Sequence, residues 1–252
     1  MPSEDFAEAA RISTSFLACG ERRCLQWMAV RIPPRIHSDH LTALALLAML
    51  MTGASYWMAR VSRLGLIAAI VWLAVNWFGD SLDGTLARVR GHQRPRYGFY
   101  VDHVVDAFGA IFLMSGLGLS GYMSPLVAMG TLLAYFLLSI EVYLATYCRG
   151  YFRLSFWKFG PTELRLLLCA GTLVLLVHPH AFLWGRSYRL FDVGGVVAIA
   201  CLLFTVTISA VQNARALFNA EPLPRTEGSR LKNARSLGDH HSNLNALAPH
   251  EP

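Results

Sequence analysis

Four of the chain's 16 acidic residues, Asp80, Asp83, Asp102 and Asp106, fall within 27 positions. A spacing of three puts Asp80 and Asp83 on one helical face, and a spacing of four does the same for Asp102 and Asp106. Two antiparallel neighbouring helices would bring both pairs to one depth. Carboxylates crowded into a low-dielectric medium repel one another and are costly to desolvate, so a positive group has to sit among them. An all-oxygen donor set suits a hard divalent cation, Mg²⁺ or Mn²⁺. No Cys lies in the cluster, and its one imidazole, His103, reads as a supporting or surface residue. The same spacing also allows a plainer outcome, in which the aspartates only pair with Arg88, Arg90, Arg94 and Arg96 at a membrane surface.

A membrane is what the rest of the chain demands. Of its 252 residues 54% are hydrophobic and 15% charged, against about a quarter charged in a soluble domain. No Asp, Glu, Lys or Arg lies between Asp106 and Glu141, and the stretches 40–59 and 193–214 are equally free of charge. About 18 or more such residues are what a helix needs to cross a bilayer. This excludes a soluble enzyme, a disordered chain and a nucleic-acid-binding domain, despite a net charge of +6. Apolar runs predict six spans at about 41–59, 64–82, 100–120, 123–147, 164–184 and 193–215, hence an all-α integral membrane bundle.

The basic residues orient it. Arg11, Arg22, Arg23, Arg31 and Arg35 precede the first span, and Arg88, Arg90, Arg94 and Arg96 join the second to the third. Arg149, Arg153 and Lys158 join the fourth to the fifth, and Arg215, Arg225, Arg230, Lys232 and Arg235 follow the sixth. These are alternate loops, and the opposite side has only Arg60, Arg63, Arg186 and Arg189. The positive-inside rule then puts both termini and the aspartates on the cytoplasmic side, of a bacterial inner membrane or, in a eukaryote, of the ER. Glu4, Asp5 and Glu8 argue against a cleavable leader, so the first span is expected to direct insertion. Residues 12–32 alternate apolar side chains with Arg22, Arg23 and Arg31 before Pro33 and Pro34, which predicts a helix lying in the interface. The expected organisation is an N-terminal segment 1–36, a six-helix domain 37–217 and a tail 218–252. The five cysteines have no C-x-x-C pair and read as reduced.

The aspartates belong to a longer string. Asp80-Ser81-Leu82-Asp83-Gly84-Thr85-Leu86-Ala87-Arg88 is followed after nine residues by Gly98, Asp102 and Asp106. This resembles the signature of the CDP-alcohol phosphotransferase (phosphatidyltransferase) family, D-x-x-D-G-x-x-A-R, a loop, then G-x-x-x-D-x-x-x-D. All eight signature positions match, with a loop slightly longer than the commonest form. The six-span layout resembles the family over about residues 20–217. The resemblance implies that Asp80, Asp83, Asp102 and Asp106 hold two Mg²⁺ or Mn²⁺ ions against the pyrophosphate of a CDP-linked substrate. Asp106 would also be the general base on the acceptor hydroxyl, and CMP would leave. Gly84, Ala87 and Gly98 would keep the nucleotide's approach open, and Arg88 offers a planar fork to a diphosphate. Thr42, in Ser38-Asp39-His40-Leu41-Thr42, and Arg94 are further nucleotide contacts to test, although the segment lacks the expected P-N-x-x-T form.

Candidates for the acceptor are Glu141, Arg153, Lys158 and Arg165; Glu141 is costly in a span unless paired, and Arg165, which opens the fifth span on the cytoplasmic side, is its expected partner. Inositol phosphate, glycerol phosphate, serine or a diradylglycerol would all suit the signature. The compact form favours CDP-diacylglycerol as donor over a CDP-linked headgroup. Membrane lipids and a second copy of the chain are the remaining expected partners, and nucleic acid is not one. Two other classes compete. A prenyltransferase resembling the UbiA group would want N-D-x-x-D and more spans, whereas Asn76 stands four residues before Asp80. A divalent-cation transporter would place its acids along a path near the bilayer midplane.

Overall fold

The computed structural model describes residues 18–149, 161–183 and 185–221. Its elements in chain order are α1 (Ala18–Arg31), α2 (Ser38–Met58), α3 (Leu64–Val89), α4 (Pro95–Leu119), α5 (Pro125–Arg149), α6 (Pro161–Val177), an antiparallel hairpin β1 (His180–Leu183) with β2 (Arg186–Arg189), and α7 (Leu190–Ala220). The chain divides into two units, Met1–Ala210 and Val211–Pro252. The first holds everything up to Ala210 of α7; of the second, only the end of α7 and Glu221 are described.

Among the described residues five helices, α2, α3, α4, α5 and α7, are long and apolar enough to cross a membrane. Large apolar side chains at Leu126, Met129, Leu133, Leu137, Ile140 and Leu144 recur every three or four residues along α5 and are all exposed. A stripe of that extent is untenable in water and is what a lipid-facing helix presents. The protein is an all-α integral membrane protein.

The expected fifth span, 164–184, is corrected at its far end. α6 stops at Val177, and residues 180–189 form the hairpin instead. Pro179 is the reason: it disfavours helical backbone at the residue before it and has no N–H to give. The 17 residues of α6 rise about 25 Å against a hydrocarbon core of about 30 Å, at the lower limit for a span. Gly185, at φ +75°, lies just before β2, where its missing Cβ makes the left-handed backbone inexpensive.

α2 is the organising helix: α3 and α4 both pack on it rather than on each other, α5 packs on α4, and α1 and α6 pack on α3. Small residues make the close approaches. A Cβ on Gly116 of α4 would run into the backbone of Gly53 on α2, and one on Gly79 of α3 would lie 2.8 Å from the Leu41 carbonyl oxygen. Apolar area alone does not drive association in lipid, so such backbone contact supplies the packing. Proline opens α4, α5 and α6, where an N–H would have no helical partner.

Of the expected interfacial helix 12–32, residues 12–17 lie outside the described residues. α1 docks Leu25 and Ala29 against Leu41, Leu82 and Leu86, and leaves Trp27 and Val30 exposed. Arg90, just past α3, ties the α1–α2 connection down. Its Nη2 donates to the carbonyls of Ile32 (2.9 Å) and Pro33 (3.0 Å), and its Nη1 to that of Ile36. Arg90→Ala takes the guanidinium away from all three carbonyls, of which only that of Pro33 still accepts a backbone N–H, from Ile36, and is expected to lower stability by about 2 kcal/mol, the worth of a hydrogen-bond set with one charged partner. Thermal unfolding in detergent measures this, and an unchanged midpoint would contradict the clamp.

Candidate active site

The signature folds as two helical halves. α3 stays helical through the whole Asp80–Arg88 string and ends one residue later. Gly91, at φ +66°, donates its N–H to the Arg88 carbonyl, and His92 donates to that of Ala87. That is a Schellman ending, and it needs the left-handed residue that glycine supplies. Only residues 90–94 separate α3 from α4, so Gly98, Asp102 and Asp106 all lie in the first half of α4.

One carboxylate oxygen from each of Asp80, Asp102 and Asp106 lies within 4.8 Å of the others. Because α3 and α4 pack on α2 and not on each other, these acids face one another across a gap between helices. Asp80 and Asp102 are half-buried and Asp106 is exposed. Asp83, expected with them, stands slightly apart. Its Oδ2 accepts the Thr42 hydroxyl at 2.6 Å, and it remains within electrostatic range of Asp80 and Asp102. Thr42 therefore touches the signature directly, from α2.

Two ligand oxygens on one Mg²⁺ stand at most about 4.2 Å apart, so the trio could close on such an ion with small side-chain rotations. Hard oxygen donors, no sulfur and no imidazole fit Mg²⁺ or Mn²⁺. His103 makes contacts with its own helix and with α5. Its Nδ1 lies 2.6 Å from the Phe99 carbonyl, which can only accept, so Nδ1 carries the proton. Its ring packs on Phe99 and edge-on to Tyr143, with centroids 4.1 and 4.9 Å away. Tyr135 and Tyr143 of α5 are within electrostatic range of both Asp106 and Asp102.

Around this cluster Arg88 is exposed, with Nη2 donating to Thr85 Oγ1 at 3.1 Å. A Cβ on Gly84 would meet nothing but the Arg88 guanidinium, at 3.5 Å, and one on Gly98 nothing within 4 Å. These two glycines thus border open space, and close packing falls to other glycines, Gly53, Gly65, Gly79 and Gly116 among them. A cavity of about 420 Å³ lies between His37–Asp39 at the start of α2, Leu86, Ala87 and Arg90 of α3, and the loop His92–Arg94. Arg94 grips Asp39 with both oxygens at 2.6 Å and stacks on Tyr97, and the Asp39 carboxylate holds its guanidinium even more firmly protonated.

The acceptor candidates separate. Arg165 does not pair with Glu141. Its Nη2 donates to Asp80 Oδ2 at 2.6 Å and its Nε to Asn76 Oδ1 at 2.7 Å. Glu141 instead accepts the Ser209 hydroxyl of α7 at 2.8 Å. The pairing fails because α6 packs on α3, which points Arg165 at the signature, whereas Glu141 lies on α5 where that helix meets α7. Arg153 and Lys158 lie outside the described residues. Two further residues escaped the sequence reading. Asn76 is buried and fixed by donating to the Ala45 carbonyl at 3.0 Å; its four-residue spacing from Asp80 was the available signal. Glu21 of α1 accepts from Trp77 Nε1 (2.9 Å), Ser81 Oγ (3.4 Å) and Thr162 Oγ1 (2.9 Å), joining three helices next to Asp80, and nothing in the local sequence marks it.

Among curated proteins none matches this sequence significantly. A family model described as CDP-alcohol phosphatidyltransferase matches residues 36–212, a stretch that contains the acidic gap, Arg88, both open glycines and Arg165. With seven-tenths of its length and its complete signature accounted for in that way, the chain belongs to the CDP-alcohol phosphatidyltransferase family, membrane transferases of phospholipid biosynthesis that act on CDP-alcohols.

Proposed function

We propose that this protein moves a phosphatidyl group from CDP-diacylglycerol to a small alcohol and releases CMP on the cytoplasmic side of the membrane. The observation that carries this reading is the convergence of Asp80, Asp102 and Asp106 in the gap between α3 and α4, beside open space at Gly84 and Gly98. Asp80, Asp83, Asp102 and Asp106 would hold two Mg²⁺ or Mn²⁺ ions. Bound there, such ions would neutralise the pyrophosphate and the charge that develops on departing CMP.

The chain's own groups do the remaining work. Arg88, exposed beside the gap, takes pyrophosphate oxygens in its planar fork. Ala87 adds only a methyl group to the wall of the cavity at the start of α2, and Arg94, anchored on Asp39, lines the same cavity as a nucleotide contact. Thr42 orients Asp83 through its hydroxyl. Asp106, the most exposed of the trio, accepts the proton of the acceptor hydroxyl as that oxygen attacks phosphorus. Arg165 is the acceptor-side candidate nearest this chemistry. A transporter would need carboxylates spread along a path, and a prenyltransferase has no use for the exposed Arg88 beside two open glycines.

The direct test is incubation of the purified protein with CDP-diacylglycerol labelled in the cytidine, in turn with inositol phosphate, glycerol phosphate, serine and a diradylglycerol. CMP release that depends on one of them is the expected result. CMP release from CDP-ethanolamine or CDP-choline alone would reassign the donor to the headgroup side.

Sidedness has its own test. Single cysteines placed at Arg94 and at Arg186 are expected to react with an impermeant thiol reagent from opposite sides, Arg94 from the cytoplasm. Labelling of the Arg94 position from outside would invert the orientation.

A further inference from the structure

We propose that Arg165 is a resident counter-ion of the acidic gap, which competes with the divalent cation for Asp80 and gives way when an oxyanion binds. The proposal rests on the reading of that gap as the metal site.

Asp80 serves two neighbours at once. One of its oxygens belongs to the close trio with Asp102 and Asp106, while Oδ2 lies 2.6 Å from Arg165 Nη2. The guanidinium is not a loose surface charge. Asn76 accepts from Nε at 2.7 Å and is itself buried and bonded to the Ala45 carbonyl, so α2, α3 and α6 jointly set its direction. One helical turn earlier Thr162 is bonded to Glu21, which pins the start of α6 to α1. The Arg165 and Asp80 side chains are only 15% and 23% exposed, so water screens them poorly.

Two consequences follow. A divalent cation entering the gap meets a fixed positive charge that already holds one of its ligands, and its affinity is lowered accordingly. Second, Nη1 of Arg165 is buried and has no hydrogen-bond partner among the described residues. A buried guanidinium N–H without an acceptor is a costly state that an incoming phosphate oxygen would relieve, and the same oxygen would cancel the charge opposing the metal. Metal and phosphate-bearing substrate should therefore bind cooperatively, each raising the affinity of the other by one factor. Such a device offsets one of the gap's negative charges when no cation is bound and favours loading of metal and substrate together.

The test measures Mn²⁺ binding to the full chain in detergent by the loss of the free-ion EPR signal, with and without CDP. It compares wild type with Arg165→Gln, Arg165→Lys and Asp102→Asn. Without CDP, R165Q is expected to bind Mn²⁺ about tenfold tighter than wild type, within the usual span of site-to-site coupling. R165K, which keeps the charge, should stay near wild type. Because CDP's pyrophosphate also ligates Mn²⁺, the informative quantity is the tightening that CDP causes, which should be smaller in R165Q by a similar factor.

Equal or weaker Mn²⁺ binding by R165Q overturns the proposal, and so does tightening by R165K as large as by R165Q, which would be a packing effect. Mn²⁺ binding that is absent from wild type, or unaffected in D102N, removes the metal-site reading itself and this proposal with it. Each variant is first checked by thermal unfolding; should R165Q not fold, Arg165→Met, closer to the arginine stem in volume, takes its place in the same comparison.

Discussion

Replacing Asp80 or Asp102 by asparagine is expected to bring CMP release below detection, and EDTA is expected to do the same to the wild-type protein until Mg²⁺ or Mn²⁺ is restored. Each substitution keeps the side chain's shape and one oxygen while removing one of three negative charges gathered within 4.8 Å. A hard cation is held there chiefly by charge, so the first deficit should be in metal and nucleotide affinity. Asparagine is the informative choice at position 80. Asp80→Ala would also leave the half-buried Arg165 guanidinium without its partner, and breaking such a pair costs about 3–5 kcal/mol, which would confuse a lost site with a lost fold. Full activity in excess chelator, or of Asp102→Asn, would exclude the acidic gap as a metal site.

Asp106→Asn should behave differently. Asp106 is the exposed member of the trio, open to an acceptor, whereas Asp80 is committed to Arg165. If its main work is to take the acceptor's proton, turnover at saturating acceptor should fall by about 10²–10⁴-fold, the usual cost of losing a general base. Metal and CDP binding should weaken only modestly. The comparison requires binding by calorimetry and rate by CMP release, on Asp106→Asn and Asp80→Asn in the same detergent. Near wild-type release from Asp106→Asn would make Asp106 a structural or metal residue. His103 would then be the nearest alternative base, although its Nδ1 proton is engaged by Phe99 and its ring is packed on Phe99 and Tyr143.

Much of this molecule is a local property of the chain and could be read without coordinates. The apolar runs forced helices and a membrane, because lipid leaves backbone groups nothing else to bond to. The signature was equally local: spacings of three and four along two helices bring Asp80 to Asp83 and Asp102 to Asp106 whatever the bundle around them, and eight matched positions named the family before any helix was placed. Even the correction at α6 had a local cause in Pro179, masked by the hydrophobicity of the residues beyond it.

What only the tertiary structure decided are the contacts that depend on which helices neighbour one another and how each is rotated. Arg165 is 85 residues from Asp80, and no periodicity relates them; α6 has to pack on α3 before the two can meet. The expected partner, Glu141, was as plausible by charge and wrong by placement, since α5 turns it toward Ser209. Glu21 finds Trp77, Ser81 and Thr162 because α1 lays its Leu25 and Ala29 face on α3. The gap that holds the acids exists because α3 and α4 each close on α2, through glycines whose partners are backbone atoms of another helix. Sequence spacing reports faces along one helix; the identity of the facing side chain is a property of the assembled bundle, where packing of small residues sets the order and rotation of the helices.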